Sequence, residues 1–477
     1  MSRLVRSARD RWGRLSRTSR FLIGTSSIGY LFYLWNKRDK QPSTKPVSLR
    51  KPAKGIFRVD SVGLGASMPF EQASSVWIET GKHEWFLSGV YAGYWGEGSA
   101  TILGSQLLKS LNASLITLYS RSKQPDNRRV YQSFITAFTG LDDTLIKPVK
   151  ILLKDDSAEG MRKNLAAILF GISYPGSGAL ATFFDSAVQR FHVALVGDSR
   201  AVLGRRRKTD DGKIMYDVHV LSEDQTVNNP QEVARLLAAH PNEPELLDRL
   251  FRDCGRKITR AFGDGMMKWS RDFQIWLRQN TLSDEPSPFC LTPPYLSAEP
   301  EVTTTDIHPG DFVILASRGL WNSLTNEEVV GLVGLWLDGD RHNKNVDILD
   351  KTGGHRTFER DSLPVILTDN GSESHYRRWP AAKKVFVNME ENAAVHLVKN
   401  AIGGADLDLV KALMKTHVPR AAQFHDDIYV CLDAAYKYTP MNSEYWHNLW
   451  PFFSSTTGTE LQLIRQAIIS FQIAGSG

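Results

Sequence analysis

Three cysteines in 477 residues exclude a disulfide framework, and Cys254, Cys290 and Cys431 are too far apart for a zinc spacing. They read as buried thiols in a reducing compartment. Long hydrophobic runs are equally scarce. The one candidate is FLIGTSSIGYLFYLW, residues 21–35, closed by Asn36, Lys37 and Arg38. A bilayer span needs about 20 apolar residues, so this segment reads as a short inner-membrane anchor or a sorting segment. Acid is almost absent from the first twenty residues, which hold seven arginines and only Asp10. That excess accounts for the whole net charge of +6, so the rest of the chain is formally neutral. A basic balance confined to one end gives no argument for nucleic acid as a partner.

What is present begins with that end. Arg-rich, Ser-containing and acid-poor is the composition of a mitochondrial presequence, assigned here to residues 1–20, with Val5, Trp12 and Leu15 on one helical face. The anchor segment is taken as 21–37. Residues 38–55, rich in Lys, Pro and Ser, read as a linker. Globular sequence is expected over 56–438, with 341–380 as a polar insertion loop. The tail 439–477 ends in an amphipathic helix with Thr459 and Gln462 as a capping box.

Strand runs and helix runs mingle without strict alternation, so the fold class is α+β. DFVILAS (311–317) and DIYVCLD (427–433) read as buried central strands. FHVALVGDSRAVLG reads as a hairpin, with strands His192–Val196 and Ala201–Leu203. Helices are expected from Ser99, over 229–240 behind an Asn229 cap and Pro230, and over 326–337 behind two acids.

VYAGYWG, residues 90–96, has the glycines of a ligand-binding turn and no acid. Elsewhere stand Gly176-Ser177-Gly178-Ala179, Val196-Gly197-Asp198-Ser199-Arg200 and Leu221-Ser222-Glu223-Asp224-Gln225. After them come Thr259-Arg260-Ala261-Phe262-Gly263-Asp264 and Pro293-Pro294-Tyr295-Leu296-Ser297-Ala298-Glu299-Pro300. Ala316-Ser317-Arg318-Gly319-Leu320-Trp321-Asn322 and His425-Asp426-Asp427-Ile428 complete the set. In this order and spacing, over roughly 65–435, the chain resembles the metal-dependent protein phosphatases of the protein phosphatase 2C family. Among their branches it resembles the pyruvate dehydrogenase phosphatases. The resemblance implies an α-β-β-α sandwich of two antiparallel sheets flanked by helix pairs. It also implies a protein serine/threonine phosphatase in which two Mg or Mn ions activate a water.

Against that pattern the site is degenerate. Ala92-Gly93-Tyr94 stands where the family has Asp-Gly-His, and Arg318 stands where it has an aspartate ligand. In Glu71-Gln72-Ala73 the Glu71 remains, but Gln72 and Ala73 replace an acid and an arginine. Asp426 and the Gly93 carbonyl are what the resemblance leaves of the metal ligands, so weak or absent metal binding is implied and no cofactor is expected. The function implied is a mitochondrial pseudophosphatase, a regulatory or phosphoprotein-binding module, in which Arg318 either pairs with Asp426 and holds the cleft shut by a salt bridge or is the phosphate-binding candidate. The alternative is an active Mg/Mn-dependent phosphatase, acting on the pyruvate dehydrogenase complex, with Glu71, Asp426 and Asp427 holding an ion. The partner expected is a mitochondrial protein, phosphorylated in the reader version.

Plainer readings stand beside these. Asp198 and Asp264 read as structural turn acids, and Asp427 serves equally as a strand-edge acid. His425 reads as solvated or bonded to a neighbour. Ser177 has no Ser-His-Asp context, and Tyr94 and Trp95 read as packing over the altered site.

Overall fold

The computed structural model describes residues 46–435, apart from 54, 67–71, 80–83, 155–159, 244, 249–256, 289, 338–355, 369–374, 377–378 and 417–419. The presequence, the short anchor and the C-terminal amphipathic helix expected from the sequence lie outside the described residues. Among the described residues no helix is long and apolar enough to cross a membrane.

The first strands are β1 (Val47–Ala53), β2 (Ile56–Leu64), β3 (Gln72–Glu79) and β4 (Trp85–Tyr94). Helices α1 (Gly98–Arg121), α2 (Asn127–Leu153) and α3 (Arg162–Ser173) follow. Then come β5 (Gly176–Asp185), β6 (Arg190–Val196), β7 (Arg200–Lys208), β8 (Ile214–Val220), α4 (Pro230–Ala239), β9 (Phe262–Gly263) and α5 (Arg271–Asn280). β10 (Glu301–Asp306), β11 (Phe312–Ala316), α6 (Arg318–Trp321) and α7 (Asn326–Leu337) lead to four short strands. These are β12 (Thr357–Glu359), β13 (His375–Tyr376), β14 (Trp379–Lys383) and β15 (Val385–Val387). α8 (Ala393–Ile402), α9 (Leu407–Lys415) and β16 (Ile428–Ala435) close the fold.

Two sheets carry the architecture. The first has the order β1-β2-β16-β11-β7-β8, the second β10-β6-β5-β4-β3 with β9 on β5. Each described pairing within them is antiparallel. The alternation along β4 shows how the layers form. Phe86 and Val90 enter the core between the sheets with Leu180, Phe184, Val313 and Leu315. Trp85, Leu87 and Tyr91 face the other way, onto Leu103, Leu107, Phe134 and Phe138 of α1 and α2. On the outer face of the first sheet, Ile314, Val430 and Leu432 pack with Val329, Val333, Leu397 and Val410 of α7, α8 and α9. The α-β-β-α sandwich implied by the resemblance is therefore the observed layering.

Three local expectations need correction. β6 and β7 do not form a hairpin: β6 pairs with β5 and β10, whereas β7 pairs with β11 and β8. With both edges of β6 occupied, the chain leaves its sheet at Gly197, φ +106°, and enters the other. Gly197 is fixed there by Gln225, whose side-chain oxygen accepts from its N–H at 2.9 Å. The basic run Arg205–Lys208 accordingly lies within β7. The linker expected over 38–55 contains β1, which pairs with β2. β1 is an edge strand, which is where a sheet tolerates the proline at position 52. Part of the expected insertion 341–380 is also ordered, since β12 pairs with β15.

Polar contacts also cross between the sheets. Ser88 on β4 donates to Asp433 on β16 at 2.6 Å, and its hydroxyl also meets Thr182 on β5 at 2.7 Å. Burial pushes the Asp433 carboxyl up from 3.8 to about 6, against the pull of the Ser88 and Cys431 hydrogen bonds. The folded state then holds this proton more tightly than the unfolded chain. The contribution of this group to stability is full below the unfolded value and is lost as pH rises from about 4 to about 6, about 3 kcal/mol in all. In Asp433→Asn that loss should vanish. Urea unfolding of both proteins across this window checks it; parallel curves would show that Asp433 does not titrate there.

Candidate functional site

Three chain passages meet at one end of the sandwich. The first is the end of β4. Ala92 pairs with Gln72 on β3 and with Gly178 on β5, and Gly93 pairs with Ser177. Tyr94 turns its hydroxyl onto Asp264 at 3.0 Å. Trp95 follows at φ +62° and is 64% exposed. A bulky residue held in that region costs about 1 kcal/mol or more, so the turn frame persists with a non-glycine residue inside it. Ala92 contributes a methyl group here and no oxygen beyond its carbonyl.

The second passage is Gly197-Asp198-Ser199, the crossing from sheet to sheet. The third is Ser317-Arg318-Gly319, where β11 runs into α6, opposite Asp426 and Asp427 at the start of β16. Close backbone approach fixes that third passage. A Cβ on Gly319 would lie 2.3 Å from the Asp427 carbonyl oxygen, so only glycine fits. Ser317 clamps the same spot: its hydroxyl donates to the Asp427 carbonyl at 3.2 Å and accepts from the Tyr429 N–H at 2.9 Å.

Arg318 is therefore delivered beside Asp426. Its Nη2 lies 2.9 Å and its Nε 3.2 Å from Asp426 Oδ2. Its Nη1 lies 3.3 Å from Asp198 Oδ2. The Arg318 side chain is 46% exposed, those of Asp198 and Asp426 14% and 28%. Burial pushes the Asp198 carboxyl above its ordinary value, and the Arg318 guanidinium pulls it back down. Next to this trio, Arg200 donates to both Asp224 oxygens at 3.0 and 2.9 Å and to Asn326 at 2.8 Å. The Arg200 guanidinium also lies over the Trp321 ring at 5.2 Å.

The structure thus brings together Arg318 and Asp426 from the sequence reading. It adds Asp198, where the sequence points to a structural turn acid. Gly-Asp-Ser-Arg carries no local signal of a place at the site, since the crossing between sheets shows only in the fold. Glu71 lies outside the described residues, and of Gln72 only the backbone is described. Asp427 is buried and accepts from the Ala66 N–H. His425 is buried, with Nδ1 3.0 Å from the Asp426 carbonyl, which fits a neighbour-bonded histidine. Asp264 is buried at φ +50° and takes the Tyr94 hydroxyl. Ser177 is buried and donates to the Gly178 carbonyl at 2.8 Å, so it is no nucleophile.

Comparison with known proteins gives the family. The model of the family described as "Protein phosphatase 2C" matches residues 73–350. A protein phosphatase 2C homolog of Schizosaccharomyces pombe is 30% identical over 385 residues, covering 79% of this chain and 80% of its own. The chain belongs to the protein phosphatase 2C family. The mitochondrial [pyruvate dehydrogenase [acetyl-transferring]]-phosphatase 1 of Saccharomyces cerevisiae is 28% identical over 415 residues, 79% of this chain and 68% of that one. The human protein of the same name is 30% identical over 327 residues, 63% of this chain and 57% of that one. Among solved structures, a serine-threonine phosphatase 2C from Toxoplasma gondii covers 83% of this chain at 15% identity and a TM-score of 0.46.

Among the described residues of this protein phosphatase 2C fold, the acids that face each other at the site are ion-paired. Hard divalent cations want several carboxylate oxygens. Here the two acids facing each other across the site, Asp198 and Asp426, share a guanidinium, and Ala92 offers no carboxylate. Among the described residues no cluster of three His, Cys, Asp or Glu is placed to hold an ion. What the arrangement does chemically is charge pairing.

Proposed function

We propose that this chain is a pseudophosphatase: a protein phosphatase 2C fold that serves as a regulatory binding module in mitochondria. The observation that carries the reading is the Arg318 ion pair with Asp426 and Asp198, at 2.9 and 3.3 Å, in the position where the family pattern has an aspartate. At 4 Å and an effective dielectric of about 20, one unit-charge pair is worth about 4 kcal/mol. A cation in place of an anion beside a divalent ion therefore weighs on the order of 10 kcal/mol against that ion before solvent screening. Family hydrolysis needs the ion to activate water.

The mitochondrial setting is supported by the Arg-rich, acid-poor first twenty residues and by relatives from yeast and human whose names place them in mitochondria. The partner on this reading is a mitochondrial protein, reached by a chain that residues 21–35 associate with the inner membrane.

Phosphate release from phosphoserine and phosphothreonine peptides, with manganese in excess, tests the reading. The purified full chain should release none above the buffer blank. Manganese-dependent release that disappears in Asp426→Asn would establish an active phosphatase instead.

A further inference from the structure

A guanidinium in a site without hydrolysis has two uses. It can grip an incoming phosphate, or it can hold the protein's own carboxylates. Arg318 commits all three of its nitrogens to carboxylate oxygens, Nε and Nη2 to Asp426 and Nη1 to Asp198. A phosphomonoester would have to displace both acids and then face them, bringing close to two further negative charges against one cation.

The two carboxylates come from separate passages of the chain. Asp198 lies in the crossing from β6 of the second sheet to β7 of the first, and Asp426 lies at the entrance to β16, an interior strand of the first sheet. The guanidinium starts from a backbone that Gly319 and Ser317 hold against Asp427. The backbone from which it reaches Asp426 is therefore fixed. On the far side, Arg200 ties the same crossing to Asp224 and Asn326.

We propose that Arg318 is a latch: a tethered counter-ion that joins the Asp198 crossing to the Asp426 loop and so closes the degenerate site to phosphate groups. This rests on the reading that the position no longer serves a metal.

The test compares the full chain with Arg318→Ala, Arg318→Lys and Asp426→Asn. Arg318→Ala should lower Tm by about 3 °C at low ionic strength and by about 1 °C in 1 M salt, because the lost contacts are partly exposed charges. Amide exchange should accelerate at 197–199 and 425–427 and stay unchanged in α1 and α2. Arg318→Lys keeps the charge without the planar fork and should recover less than half of the shift. In an Asp426→Asn background, Arg318→Ala should add under 1 °C, the signature of a shared interaction. Calorimetric titration with inorganic phosphate should give no heat of binding in the natural chain.

Two results overturn the latch. One is unchanged exchange at both loops in Arg318→Ala; the other is inorganic phosphate binding that Arg318→Ala abolishes. Either of them, in a protein that still releases no phosphate from phosphopeptides, removes the latch and leaves the pseudophosphatase reading standing. Peptide turnover removes the reading itself.

Discussion

The double variant Ala92→Asp, Arg318→Asp is expected to bind manganese at least about 100-fold more tightly than the natural chain, a gain of about 2.7 kcal/mol. The electrostatic swing at position 318 alone is on the order of 10 kcal/mol at an effective dielectric of 20. Solvent takes a large part of it, since the Arg318 side chain is 46% exposed. The single variants should separate the two contributions. Ala92→Asp alone should gain nothing, because the remaining guanidinium would pair with any nearby new carboxylate. Arg318→Asp alone should gain part, with three carboxylates then facing one another at Asp198, Asp426 and position 318. That crowding makes a second signature: without manganese the double variant should melt below the natural chain, and with manganese it should recover. Calorimetric titration and thermal melts read both. Tight manganese binding by the unmodified chain would overturn the reading of the site.

The sequence located most elements whose signals are local. Asn229 followed by Pro230 marked the start of α4, and the Asn229 side chain does accept from the Gln231 and Glu232 N–H groups. The acids at 327 and 328 marked α7. The apolar runs at 312–316 and 428–435 are interior strands, as their lack of alternation implies. Pairing partners were not legible. Runs on either side of Gly-Asp-Ser-Arg have strand character, but which sheet each joins depends also on β10 and β11, far along the chain. β1 was hidden because edge strands admit the Lys and Pro that mark linkers. At the site, Arg318 stood out against a frame of unchanged neighbours. Asp198 did not, since its bond to Arg318 spans 120 positions.

The fold's largest single-residue loss is expected at Glu328. Its acidity suits a helix N-terminus, but the structure gives it a heavier duty. Fully buried, it accepts from Arg360 Nε at 2.8 Å, from Lys384 Nζ at 2.8 Å and from the Thr325 N–H at 2.9 Å. The side chains of Arg360 and Lys384 are only 8% and 2% exposed. One anion therefore pairs with two buried cations, one of them from the stretch that reads in the sequence as a polar insertion loop. Removing one partner of a buried pair costs about 3–5 kcal/mol, because the charge left behind keeps its desolvation penalty. Glu328→Ala should lie at the top of that range and Glu328→Gln, which keeps the volume and the cap, somewhat below it. The penalty comes from buried cations that lose this carboxylate, so a second substitution should return part of it. Arg360→Met placed in Glu328→Gln should restore about 1–2 kcal/mol, although in the natural chain it is destabilising. Urea midpoints of the three proteins decide the matter. A loss within about 1 kcal/mol for Glu328→Gln would mean that Arg360 and Lys384 reach water when the carboxylate is gone, and that α7 is held by its apolar face alone.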